Sequence, residues 1–127
     1  MKCRILIISL CALLLLAACG GSDERQTESG PFPEGDPVAG EKTYSQLCVA
    51  CHGPGGVGVQ GLGKSITTSE FVANSSDDEL VAFIIEGRDI THPENSTGVA
   101  MPPKGGNPGL KRQDIANVVA YMRSIQE

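Results

Sequence analysis

Cys48-Val49-Ala50-Cys51-His52 is the stretch from which the rest of this 127-residue chain is read. Two thiols separated by two residues are spaced to add to the two vinyl groups of a haem, and the histidine directly after is placed to bind the iron from one face. A neutral imidazole ligand needs its other ring nitrogen hydrogen-bonded to hold its orientation. A redox dithiol and half of a zinc site are the competing readings. Zinc needs two more ligands, yet the only other histidine is His92, and Cys3, Cys11 and Cys19 all precede residue 20. A thioredoxin-like dithiol sits between a strand and a helix, whereas Gly53-Pro54-Gly55-Gly56 comes next here. The motif therefore reads as the covalent site of one haem c, held through Cys48 and Cys51, with His52 as an iron ligand.

The first twenty residues set the compartment. Met1-Lys2-Cys3-Arg4 is a short basic segment, and Ile5 to Leu16 is an almost unbroken apolar run. At roughly 20 residues per bilayer crossing that run is too short to span, so it reads as a signal peptide over residues 1–18. Leu16-Ala17-Ala18-Cys19 resembles the lipobox of bacterial lipoproteins, which implies cleavage before Cys19 and lipid on its sulfur and new amino terminus. Several acyl chains suffice for stable anchoring. Gly20 rather than aspartate succeeds the cysteine, which favours the outer over the inner membrane on the periplasmic side. The alternative is an ordinary secretory peptide that leaves Cys19 as an odd thiol. With Cys3 and Cys11 removed, Cys19 lipidated and Cys48 and Cys51 bound to haem, no cysteine remains for a disulfide.

Residues 19–35 read as the lipidated cysteine and a flexible linker, since Phe32 is the only large apolar side chain among them. From Gly20 on, its sixteen residues would span about 20–24 Å as a flexible coil. Residues 36–127 form one small domain, marginal on its own side chains. Tryptophan is absent and only five residues of the chain are tyrosine or phenylalanine. A haem supplies the missing apolar mass, so the apo-domain is expected to be largely unfolded.

Periodicity predicts an all-α fold. Asp36-Pro37 is an N-cap with proline at the first helical position, opening a helix from Val38 to Leu47. Ser76-Asp77-Asp78-Glu79 is a capping box ahead of the apolar run Leu80 to Ile85, with Gly87 expected to end that helix in a left-handed turn. Ile115, Val118, Val119 and Met122 recur at helical spacing, giving a last helix from Arg112 to Ile125 without a good cap. Gly61 to Ser69 reads as a loop, with at most one helical turn before Phe71. No segment alternates strongly enough to be a strand.

These elements resemble a class I (monohaem) cytochrome c, and the likeness covers the whole of 36–127. Gly40 and Tyr44 match the small-then-aromatic pair of that family's first helix, and Val118 and Tyr121 the apolar-then-aromatic pair of its last. The resemblance implies a small all-α domain of three to five helices around one covalently bound haem, with the first and last helices crossing closely at the glycine. Gly98-Val99-Ala100-Met101-Pro102-Pro103 resembles the loop that carries the distal methionine, which makes His52 and Met101 the axial ligands. A thioether favours ferrous iron and raises the potential above that of bis-histidine ligation. Met122 is a competitor, but its helical register makes it core filler. His92, in the polar loop Thr91-His92-Pro93, is another. Many members carry a proline in the loop after the motif, whose carbonyl receives the proximal histidine's proton. Here the loop reads Gly61-Leu62-Gly63-Lys64-Ser65, leaving a backbone carbonyl of unspecified position for that role. Lys64 and Arg88 are candidate partners for the haem propionates, each weighed against an ordinary surface charge.

With both axial positions filled, only an electron can enter or leave the iron. The expected function is a membrane-tethered carrier passing single electrons between respiratory or dehydrogenase complexes, with no small-molecule substrate and no nucleic acid as partner. Signal removal leaves eight Lys and Arg against fifteen Asp and Glu. An acidic carrier of this kind docks fast, weakly and salt-dependently on basic surfaces of redox partners. The alternatives are a haem enzyme or gas sensor with an open distal site, and a cytochrome subunit permanently docked in an oxidoreductase.

Overall fold

Five α-helices occupy the structure, a computed structural model describing residues 31–127: α1 Pro37–Leu47, α2 Val49–His52, α3 Glu70–Asn74, α4 Asp77–Glu86 and α5 Arg112–Ser124. Short 3₁₀ turns lie at Pro54–Gly56 and Pro103–Gly106. Among the described residues no strand forms, and isolated backbone bridges pair Val59 with Gly63 and Arg88 with Met101. The signal segment, Cys19 and the linker through Gly30 lie outside the described residues.

The helix starts obey local chemistry. The Asp36 carboxylate accepts from the Val38 N–H at 2.9 Å, and Pro37 sits where no N–H is needed. At α4 the box closes both ways, Glu79 N–H to Ser76 Oγ at 3.3 Å and Ser76 N–H to Glu79 Oε2 at 2.7 Å. For α5 the sequence suggests an uncapped start. Lys111 indeed offers no side-chain cap, but the Asp114 carboxylate accepts from the Lys111 N–H at 2.9 Å and closes the first turn. α3 also departs from expectation: it contains Phe71 rather than preceding it, because Ser69 Oγ accepts from the Val72 N–H and starts a helix there.

The core forms where α1 crosses α5. Leu80, Val81, Ile115, Val119 and Tyr44 are essentially sealed from solvent, and Val118, Tyr121 and Met122 are buried beside them. Gly40 is the crossing point: a Cβ there would meet the Asn117 carbonyl oxygen at 1.9 Å. Only a residue with no side chain lets the backbones approach so closely. One turn on, the Tyr44 and Tyr121 rings pack with centroids 5.1 Å apart.

The chain before α1 belongs to this packing as well. Composition assigns residues up to 35 to a linker with too little to bury, yet Phe32 lies against the core with the Arg112 guanidinium 3.9 Å over its ring. Side chains of α5 hold the backbone there: Gln113 donates to the Glu34 carbonyl and Asn117 accepts from the Asp36 N–H, both at 2.9 Å. Polar groups on α5 supply what apolar content does not.

On the other flank, Arg123 of α5 gathers the α3–α4 junction. Its guanidinium pairs with Asp77 at 2.8 Å and donates to the carbonyls of Val72, at 2.6 Å, and Ser75.

Candidate haem site

The motif occupies one short helix. Backbone bonds from the Cys51 and His52 N–H groups return to the Cys48 carbonyl at 3.1 and 2.9 Å, so α2 carries both thiols and the imidazole on a single turn. Its far end is tied to the helix crossing, because the buried Tyr44 hydroxyl donates to the Gly53 carbonyl at 2.6 Å. Burial pushes that hydroxyl up to about 12, with Cys48 the next contributor. The Cys48 thiol is likewise pushed up to about 11 by burial and then by its neighbour Cys51. Both cysteines are unpaired and half-buried.

His52 has a defined tautomer. Its Nδ1 lies 2.9 Å from the Lys64 carbonyl oxygen, which can only accept, so Nδ1 carries the proton and Nε2 keeps its lone pair. The acceptor that the sequence leaves unspecified is therefore Lys64. A two-way backbone pairing, Val59 N–H to Gly63 carbonyl at 2.9 Å and Gly63 N–H to Val59 carbonyl at 3.1 Å, stiffens the loop just before it. The Lys64 carbonyl does the work expected of the missing proline's. The Lys64 residue itself is exposed.

Met101 lies on a loop with no α-helix or strand of its own, but its backbone is held. Met101 and Arg88 exchange hydrogen bonds, N–H to carbonyl, at 2.9 and 2.8 Å. Gly87 makes room for this. Its φ of 74° is positive as expected, but its ψ of −166° is extended rather than left-handed, so the chain leaves α4 straight toward the methionine loop. A Cβ on Gly87 would meet the Met101 carbonyl oxygen at 2.4 Å. The Met101 side chain is half-buried and packs on the core.

The competing side chains lie elsewhere. Met122 is buried in α5. His92 is exposed, and its Nδ1 accepts from the Glu94 N–H at 3.2 Å within its own loop. Arg88 is no solvated charge: it pairs with Glu94 at 2.9 Å and lies against the rings of Phe71 and Phe83.

The residues present suit a haem. Cys48 and Cys51 present two free thiols for covalent attachment, with an imidazole on the same turn whose Nε2 is the nitrogen left to bind iron in the neutral ring.

Comparison with known proteins agrees. Residues 35–122 match the family described as cytochrome C oxidase, cbb3-type, subunit III. Cytochrome c-555 of Chlorobaculum thiosulfatiphilum is 34% identical over 87 residues, covering 68% of this chain and 93% of the relative. Cytochrome c-551 of Bacillus subtilis (strain 168) is 44% identical over 62 residues, 47% of this chain and 55% of the relative. Cytochrome c-555 of Chlorobaculum tepidum is 33% identical over 87 residues, 68% of this chain and 74% of the relative. All three names are those of electron-transfer proteins rather than enzymes, and the domain they share is that of an exported protein. The chain thus belongs to the cytochrome c family, a monohaem electron carrier that works with redox protein partners and holds haem c covalently through Cys48 and Cys51.

Proposed function

We propose that this cytochrome is a membrane-tethered shuttle with His52 and Met101 on the two faces of the iron. The haem supplies a reversible one-electron couple; the chain's own residues orient its ligands and keep other ligands out. The observation that carries this reading is the two-way backbone pairing of Met101 with Arg88, which gives an otherwise irregular loop a fixed seat for its thioether. The Lys64 carbonyl on His52 supports the opposite face, since it leaves Nε2 as the ligating nitrogen.

Tethering rests on the Leu16-Ala17-Ala18-Cys19 sequence, which resembles a lipobox and would put the domain on the periplasmic face, at the outer membrane by the Gly20 argument. Among the described residues no helix is long and apolar enough to cross a membrane; the anchor in this reading is a lipid on Cys19.

The ferric protein is expected to show a far-red band at about 695 nm, the signature of methionine on iron. Met101→Ala should abolish the band, lower the potential and admit external ligands while the haem stays attached. An unchanged spectrum in that variant overturns the ligand assignment. Cys19→Ala should release a functional cytochrome from washed membranes; retention on them overturns the lipid anchor.

A second reading is favoured by one observation, the description of the matched family as an oxidase subunit. In that reading the same domain is docked permanently in a larger complex. Mild detergent solubilisation separates the two, because a shuttle comes off as a free monomer.

A further inference from the structure

Arg88 sits where two parts of the molecule meet. Its backbone forms both hydrogen bonds to Met101. Its guanidinium lies 5.2 Å from the Phe71 ring centroid and 4.7 Å from that of Phe83, and those rings meet edge-to-face with centroids 5.0 Å apart. Phe71 belongs to α3 and Phe83 to α4, so the side chain fastens Arg88 to two helices at once. Nη2 pairs with Glu94 at 2.9 Å, while the arginine side chain is 15% exposed and Glu94 66%. Nε is buried with no acceptor. The guanidinium is therefore held by ring packing and one ion pair rather than by a full set of hydrogen bonds.

Stacking of this kind is specific to a flat cation. It also solves a mechanical problem. The Met101 loop has no α-helix or strand of its own, and Met101 itself is paired through its backbone with Arg88. Fixing Arg88 therefore helps to fix Met101.

We propose that Arg88 is a positioning residue for the distal ligand: its clamp, the packing against Phe71 and Phe83 and the pair with Glu94, sets how often the Met101 thioether leaves the iron. This rests on the reading of Met101 as ligand. The ring packing and the ion pair of the Arg88 side chain act through the Arg88–Met101 backbone bridge.

The holo-cytochrome tests this by the far-red band and by the affinity of the ferric form for imidazole, which binds only when the thioether is off. Loss of the clamp raises the methionine-off fraction, and the apparent affinity rises in proportion. Arg88→Met keeps apolar length against the rings without charge, and should bind imidazole about tenfold more tightly and weaken the band. Glu94→Gln alters only the exposed end of the ion pair and should tighten imidazole about twofold. It serves if Arg88→Met does not fold. Arg123→Met is the control: it cuts an equally extensive arginine network on the α5 flank, and should lower stability with no change in imidazole affinity. Equal affinities in Arg88→Met and the parent, or a change matched by Arg123→Met, overturn the proposal. A shifted potential with unchanged imidazole affinity overturns it too, because Arg88 then acts as a charge. Absence of the band from the unmutated protein overturns the Met101 reading itself, a result distinct from all of these.

Discussion

The His52 side and the Met101 side of the site are built by different means. On the His52 side, two cysteines fix the haem, Tyr44 ties the motif to the sealed crossing of α1 and α5, and side-chain packing does the holding. On the Met101 side, the proposed ligand rides an irregular loop held by a pair of backbone hydrogen bonds, a glycine without room for a Cβ and one arginine packed against two rings. A covalent bond tolerates no exchange, so its surroundings can be rigid core. A thioether–iron bond is reversible, and the strength of its seat decides how often it opens. Damage to the first side should therefore emerge as lost folding, and damage to the second as lost ligation in a folded protein.

The strongest break is Cys48→Ala combined with Cys51→Ala. Without covalent haem, the small domain is expected to lose most of its helical circular dichroism; a native-like apo spectrum would mean that the core suffices alone. Next is Gly40→Val, whose side chain would collide with the Asn117 carbonyl and push α1 from α5. A cost of about 3 kcal/mol or more in denaturant unfolding is expected, with the far-red band intact in whatever remains folded. Gly87→Ala probes the other side at lower cost, about 1–3 kcal/mol for alanine at a positive φ. It should weaken the far-red band well before it weakens the fold. If Gly40→Val loses the band first, or Gly87→Ala unfolds globally, the two sides are not separable.

The mildest test uses pH. Tyr44 has its hydroxyl held up to about 12 against an ordinary value of 10. Its raised value means that the folded state keeps a proton which the unfolded state releases. That stabilisation is complete below about pH 10 and is lost as pH rises through about 12. Unfolding free energy should fall over this window, and Tyr44→Phe should flatten the slope while lowering stability at neutral pH by about 1 kcal/mol for the lost hydroxyl bond, the Gly53 carbonyl keeping the Gly56 N–H.

The same contrast governs how much of the molecule is legible in its chain. The His52 side is legible because its determinants are residue types: the paired cysteines and histidine, the Gly40 and Tyr44 pair against Val118 and Tyr121, the Asp36 and Ser76 caps. The acceptor for His52 is not, since any backbone carbonyl has the same chemistry and only the path of the loop selects Lys64. Arg88 is legible only as a lone cation near a loop. Its partners Phe71 and Phe83 lie 17 and 5 residues away, and no local period links them. Two features have local signals that composition and periodicity pass over: Ser69 before Glu70 marks the start of α3, and Asp114 three residues beyond Lys111 marks the half-cap of α5.

The Lys64 carbonyl has a consequence for electron push. A carboxylate facing Nδ1 would draw the imidazole toward imidazolate and enrich the electron density delivered through Nε2, favouring oxidised iron. A neutral carbonyl shares the proton without taking it, so the ring remains a modest donor. Opposite the thioether proposed for the other face, that would keep the couple near the oxidising end of what a histidine-ligated haem can reach. In the proposed ligation, a single backbone oxygen helps set the potential at which the protein gives up its electron.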